Sequence, residues 1–273
     1  MNQDHIDKKW IEDGFEDVLA KARTGLGFEL LALSEASSLS IKEINRLLQG
    51  EFNADHLSKI AKPLGLNAKA LLTLVEGKYS PQVQPPDSLV QMTSDYSGLM
   101  LVNAFLYIQD TSAWLFDTGA DAEWVFDLIE DRNLDLKGIL ITHGHRDHIA
   151  CLKPLVNRFR CPAYGHSRLA TRGILPIEWG QQLDIAGLKL ECRQTTGHAA
   201  DGITYVISGT PCIAFVGDAI FAGSMGGPKI SYEEALETAH QSILSLPEET
   251  ILCPGHGCMT TVGYEKEHNP FFA

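Results

Sequence analysis

Gly138-Ile139-Leu140-Ile141-Thr142-His143-Gly144-His145-Arg146-Asp147-His148 is the stretch on which the fold turns. Its first half is a short apolar run suited to a buried strand. Its second half places three imidazoles and a carboxylate within six residues. One metal ion cannot conveniently use all four groups. On an extended turn, the alternating His143 and His145 point toward one ion, while Asp147 and His148, one turn later at a helix start, point toward another. The spacing therefore predicts two adjacent metals. Each needs ligands from elsewhere, and the chain offers His198 in Thr195-Thr196-Gly197-His198, Asp218 in Val216-Gly217-Asp218 and His256 in Pro254-Gly255-His256-Gly257. All three follow predicted strand ends.

Outward from this turn the pattern is mixed. LMLVNAFLYIQD, from residue 99, and AWLFDTG are β-rich runs joined at Asp110-Thr111-Ser112, which reads as a hairpin. Residues 122–134 form a helix with Trp124, Val125, Leu128 and Ile129 on one face, and a second helix is expected around 149–159. Strands follow at LKLECRQT, ITYVIS and CIAFVG, then a helix over 232–246 and a last strand at TILCP. The class is α/β, with sheets flanked by helices.

Residues 1–80 carry only helical signals. Ser40 and Glu43 form a capping box before Ile41, Ile44, Leu47 and Leu48 at helical spacing, and Gly50 ends that helix. Asn53 caps a helix with the stripe Leu57, Ile60, Ala61 and Leu64, and Asn67 caps another that ends at Gly77. Pro-rich residues 81–88 read as a linker, which leaves 89–273 as the larger domain. The pattern from Leu30 to Leu74 resembles the helix-turn-helix domain of Cro/C1-type repressors. That resemblance implies a DNA-facing helix offering Lys42, Asn45 and Arg46. The charge opposes it: residues 1–80 hold ten Lys/Arg against twelve Asp/Glu, and Pro63 interrupts a helix that the family continues. Packing, homodimer formation or covering a site is the favoured role of these helices.

The larger domain resembles the metallo-β-lactamase-fold hydrolases, most closely their glyoxalase II-like branch. The likeness covers residues 88–273 and rests on the HxHxDH order of His143, His145, Asp147 and His148, on Gly197-His198, on Asp218 in GDAIFAGSMG, and on His256 in the tail PGHGCMTTVGYEKEHNPFF. It implies a four-layer αββα fold. It also implies two divalent metals, zinc by default, with iron and manganese equally acceptable to imidazole and carboxylate ligands. His143, His145 and His198 would hold the first metal, Asp147, His148 and His256 the second, and Asp218 would bridge them. Asp117 in LFDTG would support the metal histidines from behind. The implied chemistry is a metal-activated hydroxide attacking a thioester or ester carbonyl, with Asp147 orienting the nucleophile.

Two departures count against an acyl-glutathione preference. The glyoxalase II pattern continues into a helical domain whose basic residues bind glutathione, whereas this sequence ends at Asn269-Pro270-Phe271-Phe272-Ala273. The stretch after Asp218 also runs straight into Gly226-Gly227-Pro228-Lys229, where relatives carry an Arg and a longer loop. A second enzyme class competes. The segment from His198 to Tyr205 is similar to that of iron-dependent persulfide dioxygenases, which bind one iron and have no need of His256. A third reading is a DNA-binding regulator with a metal-containing sensor domain.

Composition bounds the rest. The 273 residues are 44% hydrophobic and 21% charged, an ordinary globular balance. A net charge of −13 disfavours a chain whose main partner is nucleic acid. No apolar run spans a bilayer and MNQDHIDKKWIEDGFEDV lacks a secretory signal, so a cytoplasmic location with no membrane partner is expected, and a small-molecule substrate. The six cysteines include no Cys-x-x-Cys pair and read as buried free thiols, Cys253 and Cys258 among them despite flanking His256. His5, His56, His166, His240 and His268 read as ordinary core or surface histidines.

Overall fold

Polar caps and apolar stripes divide the N-terminal region into five helices: α1 (Phe15–Gly25), α2 (Leu30–Ser37), α3 (Ile41–Leu48), α4 (Ala54–Ala61) and α5 (Ala68–Val75). The computed structural model describes residues 11–98 and 100–273, so His5 and the first ten residues lie outside it. Three caps act as the sequence indicates. Ser40 accepts from the Glu43 amide while the Glu43 carboxylate accepts from the Ser40 amide, and the Asn53 and Asn67 side chains accept from the amides of His56 and Ala70. On α3, Lys42 and Arg46 are exposed and Asn45 is half-buried, with Arg46 lying 3.5 Å from Glu51.

The remaining chain forms two six-stranded sheets. The first runs in the order β1 (Leu89–Tyr96), β2 (Met100–Gln109), β3 (Ser112–Phe116), β4 (Asp135–Leu140), β5 (Ala163–His166), β6 (Leu175–Ile177). The second sheet comprises β7 (Gln182–Ile185), β8 (Leu188–Gln194), β9 (Ile203–Ile207), β10 (Ile213–Gly217), β11 (Ile251–Pro254) and β12 (Thr260–Thr261), in chain order from one edge to the other. Phe105, Trp114 and Phe116 of the first sheet meet Tyr205, Phe215 and Cys253 of the second in a buried core, and Phe116 stacks on Phe215 with ring centroids 3.5 Å apart.

Helices cover both outer faces. Against the first sheet pack α6 (Ala122–Asp131) and α7 (Leu152–Phe159). Against the second pack α8 (Tyr232–Ser242) and α9 (Val262–His268). This is the expected αββα layering. The N-terminal helices join the outer face of the second sheet: Val18, Leu19 and Leu71 lie in one continuous core with Val216, Met225 and Ala239. Tyr79, in the stretch between α5 and β1, is buried with its hydroxyl on the Glu265 carboxylate of α9. Among the described residues no helix is long and apolar enough to cross a membrane.

Several boundaries differ from expectation. The helix expected at 149 begins at Leu152, so Asp147 and His148 sit in the preceding turn and not at a helix start. The helix expected to reach 246 ends at Ser242. Strand β1 escapes the hydrophobic pattern because it is an edge strand whose Gln91 and Thr93 point polar atoms inward at Asn103.

Candidate metal centre

Strand ends aim every expected ligand at one place. Asp117 follows β3, the His143–His148 turn follows β4, His198 lies four residues past β8, Asp218 follows β10 directly, and His256 lies two residues past β11. Ligand-capable atoms fall into two groups, His143, His145, His198 and Asp218 in one, and Asp147, His148 and His256 in the other. Within each group these atoms lie within 4.8 Å of one another. His143 Nε2 and His198 Nε2 each stand 2.9 Å from His145 Nδ1.

Asp218 joins the two groups. Its Oδ2 is 3.2 Å from His198 Nε2 and 3.8 Å from His143 Nε2, while its Oδ1 is 3.2 Å from His148 Nε2 and 3.6 Å from His256 Nε2. Asp147 Oδ2 is 3.3 Å from His256 Nε2 and 3.5 Å from His148 Nε2. Backbone glycines make this crowding possible. A Cβ on Gly255 would sit 2.3 Å from Asp218 Oδ1 and 2.5 Å from His148 Cε1, so no larger residue fits there.

The far side of each ring assigns its tautomer. His256 Nδ1 faces the Leu101 carbonyl at 2.6 Å, His198 Nδ1 faces the Gly227 carbonyl at 2.7 Å and His148 Nδ1 faces Asp117 Oδ2 at 2.8 Å. Each partner only accepts, so each Nδ1 carries its proton. The Thr142 hydroxyl donates to Asp117 at 2.7 Å and therefore accepts from His143 Nδ1 at 3.1 Å. Four Nε2 lone pairs are thus turned toward carboxylate oxygens, acceptor against acceptor. His148 Nε2 and Asp218 Oδ1 are buried with no hydrogen-bond partner. A cation between them would resolve this conflict, and imidazole nitrogens with carboxylates are the donor set of divalent zinc, iron and manganese. The residues fit the metals that the sequence implies.

The electrostatics agree. Burial, then the positive neighbour His148, holds His143 well below the ordinary imidazole range, and burial with His198 brings His145 down to about 4. Burial works against ionised Asp218, yet His148 and His256 outweigh it and keep the carboxyl far below its usual value. Burial likewise works against charged His148, but Asp218 and Asp117 raise it well above 6.5. Without a cation, a proton fills the gap.

Some supporting groups were not legible in sequence. Asn103, fully buried on β2, donates through Nδ2 to the carbonyls of Pro254 at 2.9 Å and Gly257 at 2.8 Å, and its own amide donates to Gly255. It clamps the turn that carries His256. Its one signal is a polar side chain inside the apolar run LMLVNAFLYI. Asp201 accepts from the Gly144 amide at 3.0 Å and so steadies the turn between His143 and His145. Asp117 takes the supporting position expected of it, accepting from Thr142 and His148. All six cysteines are free, but Cys258 is half-buried where a buried thiol is expected; partial burial pushes its thiol up to about 11, and neither it nor Cys253 joins a ligand group among the described residues. His166 stacks on Trp179 and His240 packs against Phe272, away from the cluster. His56 pairs with Glu43, and His268 packs on Tyr264.

The sequence model described as the Metallo-beta-lactamase superfamily matches residues 97–256, which include all seven clustered side chains. The chain belongs to the metallo-beta-lactamase superfamily. A probable metallo-hydrolase of Bacillus subtilis, YqgX, is 29% identical over 198 residues, covering 64% of this chain and 93% of that protein. Hydroxyacylglutathione hydrolase GloC of Haemophilus influenzae is 30% identical over 193 residues, covering 62% and 91%. Two solved structures share the fold. The BLEG-1 B3 metallo-beta-lactamase gives a TM-score of 0.62 at 27% identity, covering 68% of this chain and 99% of that one. TTHA1623, solved in a di-iron-bound form, gives 0.58 at 28% identity, covering 67% and 99%.

Proposed function

We propose that the protein is a binuclear metal-dependent hydrolase that cleaves a thioester or ester bond in a small-molecule substrate. The observation that carries this reading is Asp218, whose two oxygens face separate imidazole groups on either side. His143, His145 and His198 would hold one cation and Asp147, His148 and His256 the other, with Asp218 between them. Divalent cations bound there supply Lewis acidity toward a carbonyl and lower the pKa of a water toward neutrality.

The chain's own groups complete the chemistry. Burial opposes charge on Asp147, but in the metal-free protein the hydrogen bond from protonated His256 and the charge of His148 keep its carboxyl below the ordinary value. Asp147 is therefore ionised at neutral pH and placed to orient an attacking water and to accept its proton. Burial of Asp218, His143 and His148 keeps bulk water from screening these charges. The placement of His256 with Asp147 and His148 supports a hydrolase over a one-iron dioxygenase, which leaves that group without a task. Relatives named as hydroxyacylglutathione hydrolases support thioesters as the first substrate class to test.

The test pairs elemental analysis with a substrate panel. Protein reloaded with zinc, iron or manganese is assayed on acyl thioesters, esters and lactones, with Asp218→Ala beside it. The variant should lose bound metal and turnover together; a variant that keeps both overturns the reading. Oxygen uptake with glutathione persulfide, in the absence of any hydrolysis, would replace it with the dioxygenase.

A further inference from the structure

The candidate metal centre is linked, through Phe221 and the Met225–Gly227 segment, to a part of the chain that the superfamily match leaves out. Lys21, on α1, donates from Nζ to the Met225 carbonyl at 2.8 Å, and its ammonium pairs with the buried Asp13. It also lies 5.0 Å above the centroid of the Phe221 ring, which meets His256 edge-on at 5.4 Å. Two residues past Met225, the Gly227 carbonyl accepts from His198 Nδ1. Between them, the Gly226 amide donates to the Asp218 carbonyl at 3.0 Å, and a Cβ on Gly226 would sit 2.7 Å from His198 Nδ1. The segment is thus bound to α1 on one side and to two candidate ligands on the other.

A second contact leads to the residue before His198. Gly25, at the end of α1, lies so close to Tyr232 that a Cβ there would meet Tyr232 Cγ at 2.4 Å. The residues just before Tyr232, Ile230 and Ser231, donate their amides to the Gly197 carbonyl at 2.9 and 3.1 Å. Gly197 precedes His198. Glu12, next to Asp13, is itself near enough to His256 and Asp218 to feel their charges.

We propose that α1 is a working part of the metal centre, with Lys21 as a positioning residue that sets the ring of His198 through the Met225–Gly227 backbone. This rests on the binuclear reading above and extends it to a region outside the matched family. Lys21 is anchored at both ends of its reach. Asp13 neutralises its charge and fixes its direction, and the Met225 carbonyl receives a charge-assisted hydrogen bond, the strong kind. Loss of that bond frees the segment that sets the tautomer and angle of a ligand imidazole. Such supporting contacts change metal affinity by about 10- to 100-fold.

The test compares Lys21→Met, which keeps the methylene stem and removes the ammonium, with Lys21→Arg, which retains a cationic donor. Full-length, metal-stripped protein is titrated with zinc against a chromophoric chelator, and imidazole Nδ1 protons are followed by NMR in the loaded protein. In Lys21→Met one of two zinc sites should weaken by about 10- to 100-fold. The His198 Nδ1 proton should exchange faster while that of His256 does not. Lys21→Arg should recover most of the affinity and keep the metal-free melting temperature near that of wild type, while Lys21→Met should melt lower because buried Asp13 and the Met225 carbonyl lose their partner. Wild type binding two zinc ions beside an unaltered Lys21→Met overturns this inference alone. Equal weakening in both variants with lowered metal-free melting temperatures also overturns it, as a general packing role. Wild type that binds no zinc, iron or manganese overturns the binuclear reading and this inference with it.

Discussion

Replacing Asp117 with Asn removes one charge and almost no volume, and its consequence follows from counting donors. Asp117 Oδ1 accepts from the Thr142 amide at 2.8 Å, while Oδ2 accepts from the Thr142 hydroxyl at 2.7 Å and from His148 Nδ1 at 2.8 Å. An Asn amide group in the first position would face the Thr142 N–H, a donor that cannot turn away. In the second position it faces a hydroxyl that can rotate to accept, and an imidazole that must move its proton to Nε2. The first arrangement costs about 1 to 3 kcal/mol for a buried unpaired donor. The second keeps the hydrogen bonds but spends the His148 lone pair that faces Asp218. Either way the group of Asp147, His148 and His256 should bind its cation about 10- to 100-fold more weakly, or about 1.4 to 2.8 kcal/mol. Asp117 has φ 56°, in the left-handed region that Asn tolerates as well as Asp, so backbone strain adds nothing. Competition with a chelator measures the affinity, and ¹⁵N shifts of His148 report its tautomer. Asp117→Asn protein that binds both ions within about twofold of wild type, with the tautomer unaltered, would refute the reasoning.

Asn103→Ala strips the partner from the Pro254 carbonyl and leaves Gly257 with only the longer bond from Gln91 at 3.3 Å. At about 1 to 3 kcal/mol for the unpaired Pro254 carbonyl, about 1 to 3 kcal/mol of stability should be lost, read by denaturant unfolding, together with weaker metal binding on the His256 side. A variant as stable as wild type would show that the clamp is dispensable. Glu265→Gln tests pH linkage away from the metals: burial raises the Glu265 carboxyl above its ordinary value despite hydrogen bonds from Thr260, Tyr79, Asn269 and Gly223. A raised acid pKa in the folded state contributes stability below the unfolded value, about 4.5, and that contribution is lost as pH rises through the folded pKa. The melting-temperature difference between metal-free wild type and Glu265→Gln should therefore move in the variant's favour as pH rises from about 4.5. A difference that stays constant with pH would contradict the linkage.

The identity and order of the clustered side chains could be read from the sequence because each is tied to local structure. A β strand delivers its last residue to a sheet end, and a turn of alternating residues presents its side chains in pairs, so His143, His145, His198, Asp218 and His256 announce themselves. The caps at Ser40, Asn53 and Asn67 are local in the same sense, since each bonds an amide three residues away. Strand β1 and the turn that holds Asp147 and His148 were less legible. An edge strand with polar residues turned inward breaks the alternation on which strand prediction depends, and a turn differs from a first helical turn only in its later hydrogen bonds.

Tertiary structure alone decided how those side chains are held. Asn103 reaches the Pro254 carbonyl across 151 residues, and Lys21 reaches Met225 across 204. Contacts of that span leave no periodicity or spacing in the chain, because they depend on where two sheets and nine α-helices come to rest against one another among the described residues. The proton on each imidazole is decided in the same way, by whichever carbonyl, hydroxyl or carboxylate packing brings to its far side. Side-chain type is a property of residues in order; side-chain orientation, and the docking of α1 on the segment that reaches His198, are properties of the packed fold.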